Sequence, residues 1–157
     1  MLQLLNLLLL PSLTFSCTKE FPHLVYDGQC SYYSGSYSKT YDSAKSLCAS
    51  IDSHFPMFYT EEDFDKFLTE YRNSFPWIGL RCDGVNFIWE DGTVATYTDF
   101  YYKETCDASK VDRRFYTDRN YDERWNAEDN HNISTKYYVC VADVRSCKLF
   151  FEVMFEK

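Results

Sequence analysis

The sequence predicts an α+β domain. Two helical periodicities lie early in the chain, short strand-like runs follow them, and a long aperiodic stretch separates those runs. The first helix falls within SKTYDSAKSLCASI, where Tyr41, Ala44, Cys48 and Ile51 share one face and Asp42 sits near the first turn. The second starts after Thr60, which forms an approximate capping box with Asp63, and Phe64, Phe67, Leu68 and Tyr71 then repeat at i, i+3, i+4 and i+7. Both stripes read as core faces. After Asn73 the period changes: FPWIGL reads as a short buried strand, and Trp89–Thr93 places an Asp-Gly turn between apolar stretches, a hairpin signal. From about Thr98 to Arg124 charges and aromatics mix without period, and a loop of that length in a compact domain either functions or belongs to a loop-bearing architecture. TKYYVCVAD closes the domain as a β-branched and aromatic strand.

Bulk properties narrow the class. A chain of 157 residues without repeats or Pro/Gly-rich linkers suits one domain, and 19% aromatic content excludes a disordered composition. Tyrosine, with 14 copies, offers rings with an apolar face and a wet tip, common at binding surfaces. The net charge of -8 would be repelled by phosphates, which excludes nucleic acid as a partner. The first sixteen residues are uncharged and leucine-rich, interrupted by Pro11 and too short to span a bilayer, and Thr14 and Ser16 place small residues before a cut at Cys17. The expected organisation is a signal peptide over 1–16, one domain over 17–145 and a tail over 146–157, giving a secreted, soluble product with no membrane span. Seven cysteines then read as a disulfide framework with one left over, and the absence of CxxC and CxxH spacing weakens a zinc reading.

Taken in order, Cys30 beside Tyr32, the helix carrying Cys48, the helix after Thr60, WIGL at Trp77–Leu80, WEDGT at Trp89–Thr93, Trp125-Asn126 and the closing YVC at Tyr138–Cys140 resemble the C-type lectin-like domain over roughly residues 17 to 141. The resemblance implies two helices packed on small antiparallel sheets with a long loop. It also implies a disulfide from Cys48 to Cys140, and an N-terminal hairpin disulfide between Cys17 and Cys30. The family's second pair departs from pattern, because Asn130 stands at the downstream cysteine position while Cys106 stands near the upstream one and Cys82 is an additional cysteine. Cys82 is therefore expected to pair with Cys106, leaving Cys147 free; Cys147 pairing with either of them, or with a second chain to form a dimer, stays open.

In sugar-binding members of that family one calcium ion sits between the long loop and the Trp-Asn-Asp strand. Here the loop contains no proline, since Pro11, Pro22, Pro56 and Pro76 all precede it, and Ala127 replaces the strand's Asp. Calcium wants six to eight hard oxygens, and Asn126, Glu128 and Asp129 are what remains as a displaced ligand set. The ordinary reading makes Asn126 a turn hydrogen-bonder, Trp125 a core residue, and Glu128 and Asp129 solvated turn acids. No cofactor is therefore expected, with calcium kept as the alternative. Asn132-Ile133-Ser134 is a glycosylation sequon.

Binding without calcium would still use the long loop, where Phe100, Tyr101, Tyr102, Phe115, Tyr116 and Tyr121 interleave with Arg113, Arg114, Arg119 and Arg124. Tyr and Arg suit interface anchors. The candidate contacts are Tyr101, Tyr102, Glu104, Arg113, Arg114, Tyr116 and Arg119, with Arg113, Arg114 and Tyr116 expected to be exposed. Catalysis has no support: His23, His54 and His131 pair with no nucleophile in a recognisable motif, His131 reads as a solvated turn residue, and nothing marks two carboxylates as acid and base. The sequence thus points to a binding module for a glycan or a protein surface, and the resemblance adds host defence as an expectation. A subunit that dimerises through Cys147 is the structural rival.

Overall fold

The computed structural model describes residues 23–24, 30–33, 37–71 and 74–142. The proposed signal peptide, Cys17, Cys147 and the tail lie outside the described residues, so neither the Cys17–Cys30 pairing nor the dimer falls within them. Strands β1 (His23–Leu24), β2 (Cys30–Tyr33) and β7 (Val139–Ala142) form one antiparallel sheet in the order β1-β2-β7. Strands β3 (Trp77–Cys82), β4 (Phe87–Trp89), β5 (Arg114–Thr117) and β6 (Trp125–Glu128) form a second, in the order β4-β3-β5-β6. Tyr32 stands opposite Cys140 in the β2–β7 ladder, so the two ends of the domain pair with each other. Among the described residues no helix is long and apolar enough to cross a membrane.

Helix α1 (Tyr41–Ser50) buries Tyr41, Ala44 and Cys48, while Ile51 has become the C-cap and lies partly in solvent, so the buried stripe ends at Cys48, before the Ile51 its periodicity suggests. Helix α2 (Glu61–Tyr71) carries a reciprocal cap: the Thr60 amide donates to Asp63 Oδ2 at 3.1 Å and the Asp63 amide donates to Thr60 Oγ1 at 3.2 Å. Its Phe64 and Phe67 are buried with Phe58, Ile78, Phe115 and Trp125 in the larger core. Tyr41, Phe55, Trp77 and Tyr138 belong to a smaller core under α1. A disulfide from Cys48 to Cys140 spans this smaller core, tying α1 to β7 across 92 residues of sequence.

Strand β3 is buried at every position except Arg81, because both of its faces are covered. Its Gly79 leaves room for a crossing side chain: a Cβ there would stand 3.1 Å from Glu90 Cγ and 3.1 Å from Met57 Cγ. Glu90 uses that room to bind three groups, accepting from the Phe55 amide (3.1 Å) and the Tyr41 hydroxyl (3.3 Å) and pairing with Lys45 (3.1 Å). After β4 the Asp-Gly turn closes a short hairpin, with Gly92 at φ +88° and the Trp89 amide donating to Thr93 O.

The stretch from Thr98 to Arg124 is not one loop. It contains β5 and two short 3₁₀ turns, Ala108–Lys110 and Arg119–Tyr121. Strand β5 sits inside the sheet between β3 and β6, with Phe115 and Thr117 turned to the larger core and Arg114 and Tyr116 to the opposite face.

Candidate functional site

The candidate residues divide among four places. In the first, the Arg113 guanidinium joins the loop to the strand that follows it. Its Nη1 donates to Glu104 Oε2 at 2.9 Å, while Nε and Nη2 donate to Asp129 Oδ1 and Oδ2 at 2.6 and 2.9 Å. Lys110 stands 3.8 Å from the same Glu104 oxygen. A disulfide between Cys82 and Cys106 binds this segment to the end of β3, and the Asp112 amide donates to Cys82 O at 3.0 Å. Loop residues 104–113 are therefore fixed covalently, ionically and through the backbone.

The second place is the sheet face under α1. Arg114 Cζ lies 5.0 Å from the centroid of the Tyr41 ring, and Lys136 Nζ lies 4.4 Å from that of Tyr116. Tyr116 in turn meets Trp77 edge-on at 6.0 Å. Lys136 also pairs with Glu128 Oε2 at 3.2 Å and donates to Ser134 Oγ at 3.0 Å. This corrects the expected exposure. The side chains of Arg113 and Arg114 are 17% and 13% exposed and Tyr116 is half-buried, because each found an aromatic or carboxylate partner across the fold. The third place holds Arg119 alone, over the Phe75 ring at 5.4 Å.

The metal candidates depart from their expected roles as well. Asn126 is not in a turn but in β6, opposite Tyr116, buried, with its Nδ2 lacking a hydrogen-bond partner. Glu128 ends that strand and faces Lys136; Asp129 faces Arg113; neither is a free turn acid. His131 is half-buried rather than solvated, its ring edge-on to Tyr41 and its Nδ1 without a partner. Among the described residues no three His, Cys, Asp or Glu side chains gather as a metal site. Asn126, Glu128 and Asp129 do not fit a shared calcium ion, since each of the two carboxylates is already matched to a protein cation. Asn132 is exposed in the turn that follows.

Burial pushes the Glu128 carboxyl up, but hydrogen bonds from the Ser134 hydroxyl and the Asn130 amide, together with Lys136, outweigh it and hold the group below the usual carboxylate range. A depressed pKa contributes stability that is complete above the unfolded value and is lost as pH falls through the folded one. Glu128→Gln is therefore expected to lower stability at pH 7 by about 1–3 kcal/mol, since it takes the charged partner from Lys136 in a pair whose side chains are only 17% and 19% exposed. That difference should shrink as pH drops below about 4.3. Urea midpoints of both proteins at pH 7 and pH 3 check it, and an equal gap at the two pH values would contradict it.

The fourth place is the loop surface where Tyr101 and Tyr102 project. Their ring centroids are 4.7 Å apart, and Tyr121 completes a triangle at 4.9 and 5.9 Å. Tyr121 was not among the sequence-derived ligand contacts. The signal that could have found it is the Asp118–Asp122 run, whose alternating Asp and Asn mark a tight turn that throws a side chain outward.

Comparison with known proteins agrees with this architecture. The Lectin C-type domain matches residues 37–142. The chain is similar to an alpha-N-acetylgalactosamine-specific lectin of Patiria pectinifera, at 32% identity over 120 residues covering 64% of this chain and 67% of that protein. The fold is shared with a human scavenger receptor C-type lectin carbohydrate-recognition domain (19% identity, TM-score 0.62, 82% of this chain and 99% of that one). It is shared too with the protein of an SPL-1–GlcNAc complex (14% identity, TM-score 0.63, 84% and 96%). From the fold, the domain match and the sequence similarity together, the chain belongs to the C-type lectin domain family.

Proposed function

We propose that this chain is a secreted, non-enzymatic binding protein that recognises a glycan without coordinating it through calcium, in a role of the host-defence kind. One observation carries the metal-free part: the acids that could serve as ligands, Glu104, Glu128 and Asp129, are each matched to Arg113 or Lys136. Calcium binding there would have to break charge-assisted hydrogen bonds and leave a cation near the ion. The glycan part is supported by the sugar specificity in the name of the Patiria pectinifera relative and by the exposed tyrosines of the long loop. The leucine-rich leader supports secretion, and the exposure of Asn132 supports an N-linked glycan at that turn.

A glycan array probed with the oxidised mature protein, once in calcium and once in EDTA, tests this. Retention that is the same in both buffers is the expected result. Retention abolished by EDTA would restore calcium to the site, and no retention in either buffer would move the function to a protein ligand.

A further inference from the structure

The long loop does not need Tyr101 or Tyr102 to hold itself down. Phe100 already plugs it, its ring lying 4.8 Å from Phe87, 5.2 Å from Phe115 and 5.7 Å from Trp125. The next two rings turn outward, Tyr101 37% and Tyr102 58% exposed, and meet Tyr121 in tilted contacts rather than the core. None of the three hydroxyls has a hydrogen-bond partner among the described residues. Three aromatic rings in mutual contact at the surface, inclined at 53–90° to one another and with free polar rims, present an apolar surface of ring faces and edges bordered by donors and acceptors.

The backbone beneath them is tightly set. The Tyr101 amide donates to Trp125 O at 3.1 Å and the Trp125 amide to Asp99 O at 2.8 Å, which fastens the loop entry to β6. On the other side, the Asp118 side chain accepts from the Asn120 amide at 2.9 Å, and Asp118 O accepts from the amides of Tyr121 and Glu123. Asp122 and Glu123 then adopt φ of 54° and 67°, consecutive left-handed residues without glycine, so the turn presenting Tyr121 is held against local preference.

We propose that Tyr101, Tyr102 and Tyr121 form an aromatic platform in which the exposed Tyr102 ring, propped by the other two, takes the C–H face of a neutral pyranose, with the exposed Asp122 carboxylate as a nearby acceptor for sugar hydroxyls. This deepens the glycan-binding reading and rests on it. Charge selects the sugar class: the chain carries a net -8, and although Asp99 is paired with Arg124 at 2.8 Å, the exposed Asp122 follows Tyr121 directly, so sialylated and sulfated glycans are disfavoured. A ring-face platform also explains how a sugar could be held where protein cations occupy the loop's acids. Rigid aromatic surface costs little conformational entropy on binding.

The test is a glycan array printed with neutral and sialylated glycans, read in EDTA with wild type, Tyr102→Ala, Tyr121→Ala, Tyr102→Phe and, as control, Tyr37→Ala. Wild type should be retained by neutral glycans and not by purely sialylated ones. Tyr102→Ala and Tyr121→Ala should each weaken retention about tenfold or more, as for interface anchors, while Tyr102→Phe and Tyr37→Ala stay close to wild type. Tyr102 is exposed, so its removal should leave the circular dichroism spectrum unchanged. Wild-type retention that survives Tyr102→Ala and Tyr121→Ala overturns the platform but leaves glycan binding standing. Failure of wild type itself to be retained overturns both.

Discussion

Replacing Cys48 and Cys140 together by alanine is expected to cost the oxidised domain roughly 4–5 kcal/mol, most of it through the unfolded state. The bond closes a loop of 92 residues, which includes the last residues of α1, all of α2 and the whole four-stranded sheet. Without it the unfolded chain gains the freedom to separate α1 from β7. The folded state loses as well, because both sulfurs sit in the smaller core beside Tyr41 and Tyr138. A domain of ordinary stability has about 5–15 kcal/mol to lose, so the variant should sit near its unfolding midpoint at body temperature. The Cys82–Cys106 bond encloses only 24 residues, and its removal should cost about 1 kcal/mol less by the same relation. Urea unfolding of wild type and the two double-alanine variants measures this. A Cys48/Cys140 variant with an unchanged midpoint would show that the β2–β7 ladder alone holds the ends of the domain.

Elements whose signals are local were readable in the sequence. Helix α2 announces itself through Thr60, Asp63 and a stripe of four apolar residues; β3 through a run of bulky residues; the hairpin through Asp91-Gly92. Strand β5 was hidden because its alternation is written in the wrong alphabet. Arg114 and Tyr116 occupy the face that α1 covers, and an arginine there reads as solvent-facing unless Tyr41, far away in the chain, is known to lie over it. The same holds for Arg113, whose partners Glu104 and Asp129 lie on either side of β5 in sequence. Charge was legible; which charges meet was not, since pairing across a fold leaves no period in the sequence. Asn126 was placed in a turn by its residue type, whereas the ladder to Tyr116 decides its conformation. At the candidate site, Tyr101 and Tyr102 were visible as aromatic loop residues, but their convergence with Tyr121 depends on the turn at Asp118 and on the pairing of the loop entry with Trp125.

That dependence makes Trp125→Ala the most informative core substitution. Trp125 is fully buried, and its ring meets those of Phe64, Trp89, Tyr97 and Phe100 at 5.5–5.7 Å between centroids. Truncation to alanine should cost about 3–5 kcal/mol, the range for large aromatic deletions in a close-packed core. The loss should also reach the surface, because Phe100 is the plug that holds the loop entry and Trp125 is the wall it rests on. Exchange of the Tyr101 amide, bonded to Trp125 O, should therefore accelerate by more than global destabilisation alone predicts. Trp125→Phe separates packing from shape. The indole N–H of Trp125 finds no acceptor among the described residues, so phenylalanine removes an unsatisfied buried donor along with part of the ring. It should cost well under half of the alanine value, and glycan retention should persist. Hydrogen exchange and thermal unfolding of the two variants decide between these views. If Trp125→Ala unfolds with a loss below about 1 kcal/mol, the ring is not the wall of the loop. If Trp125→Phe loses as much as alanine does, the loop entry depends on the full indole outline rather than on an aromatic surface at that position.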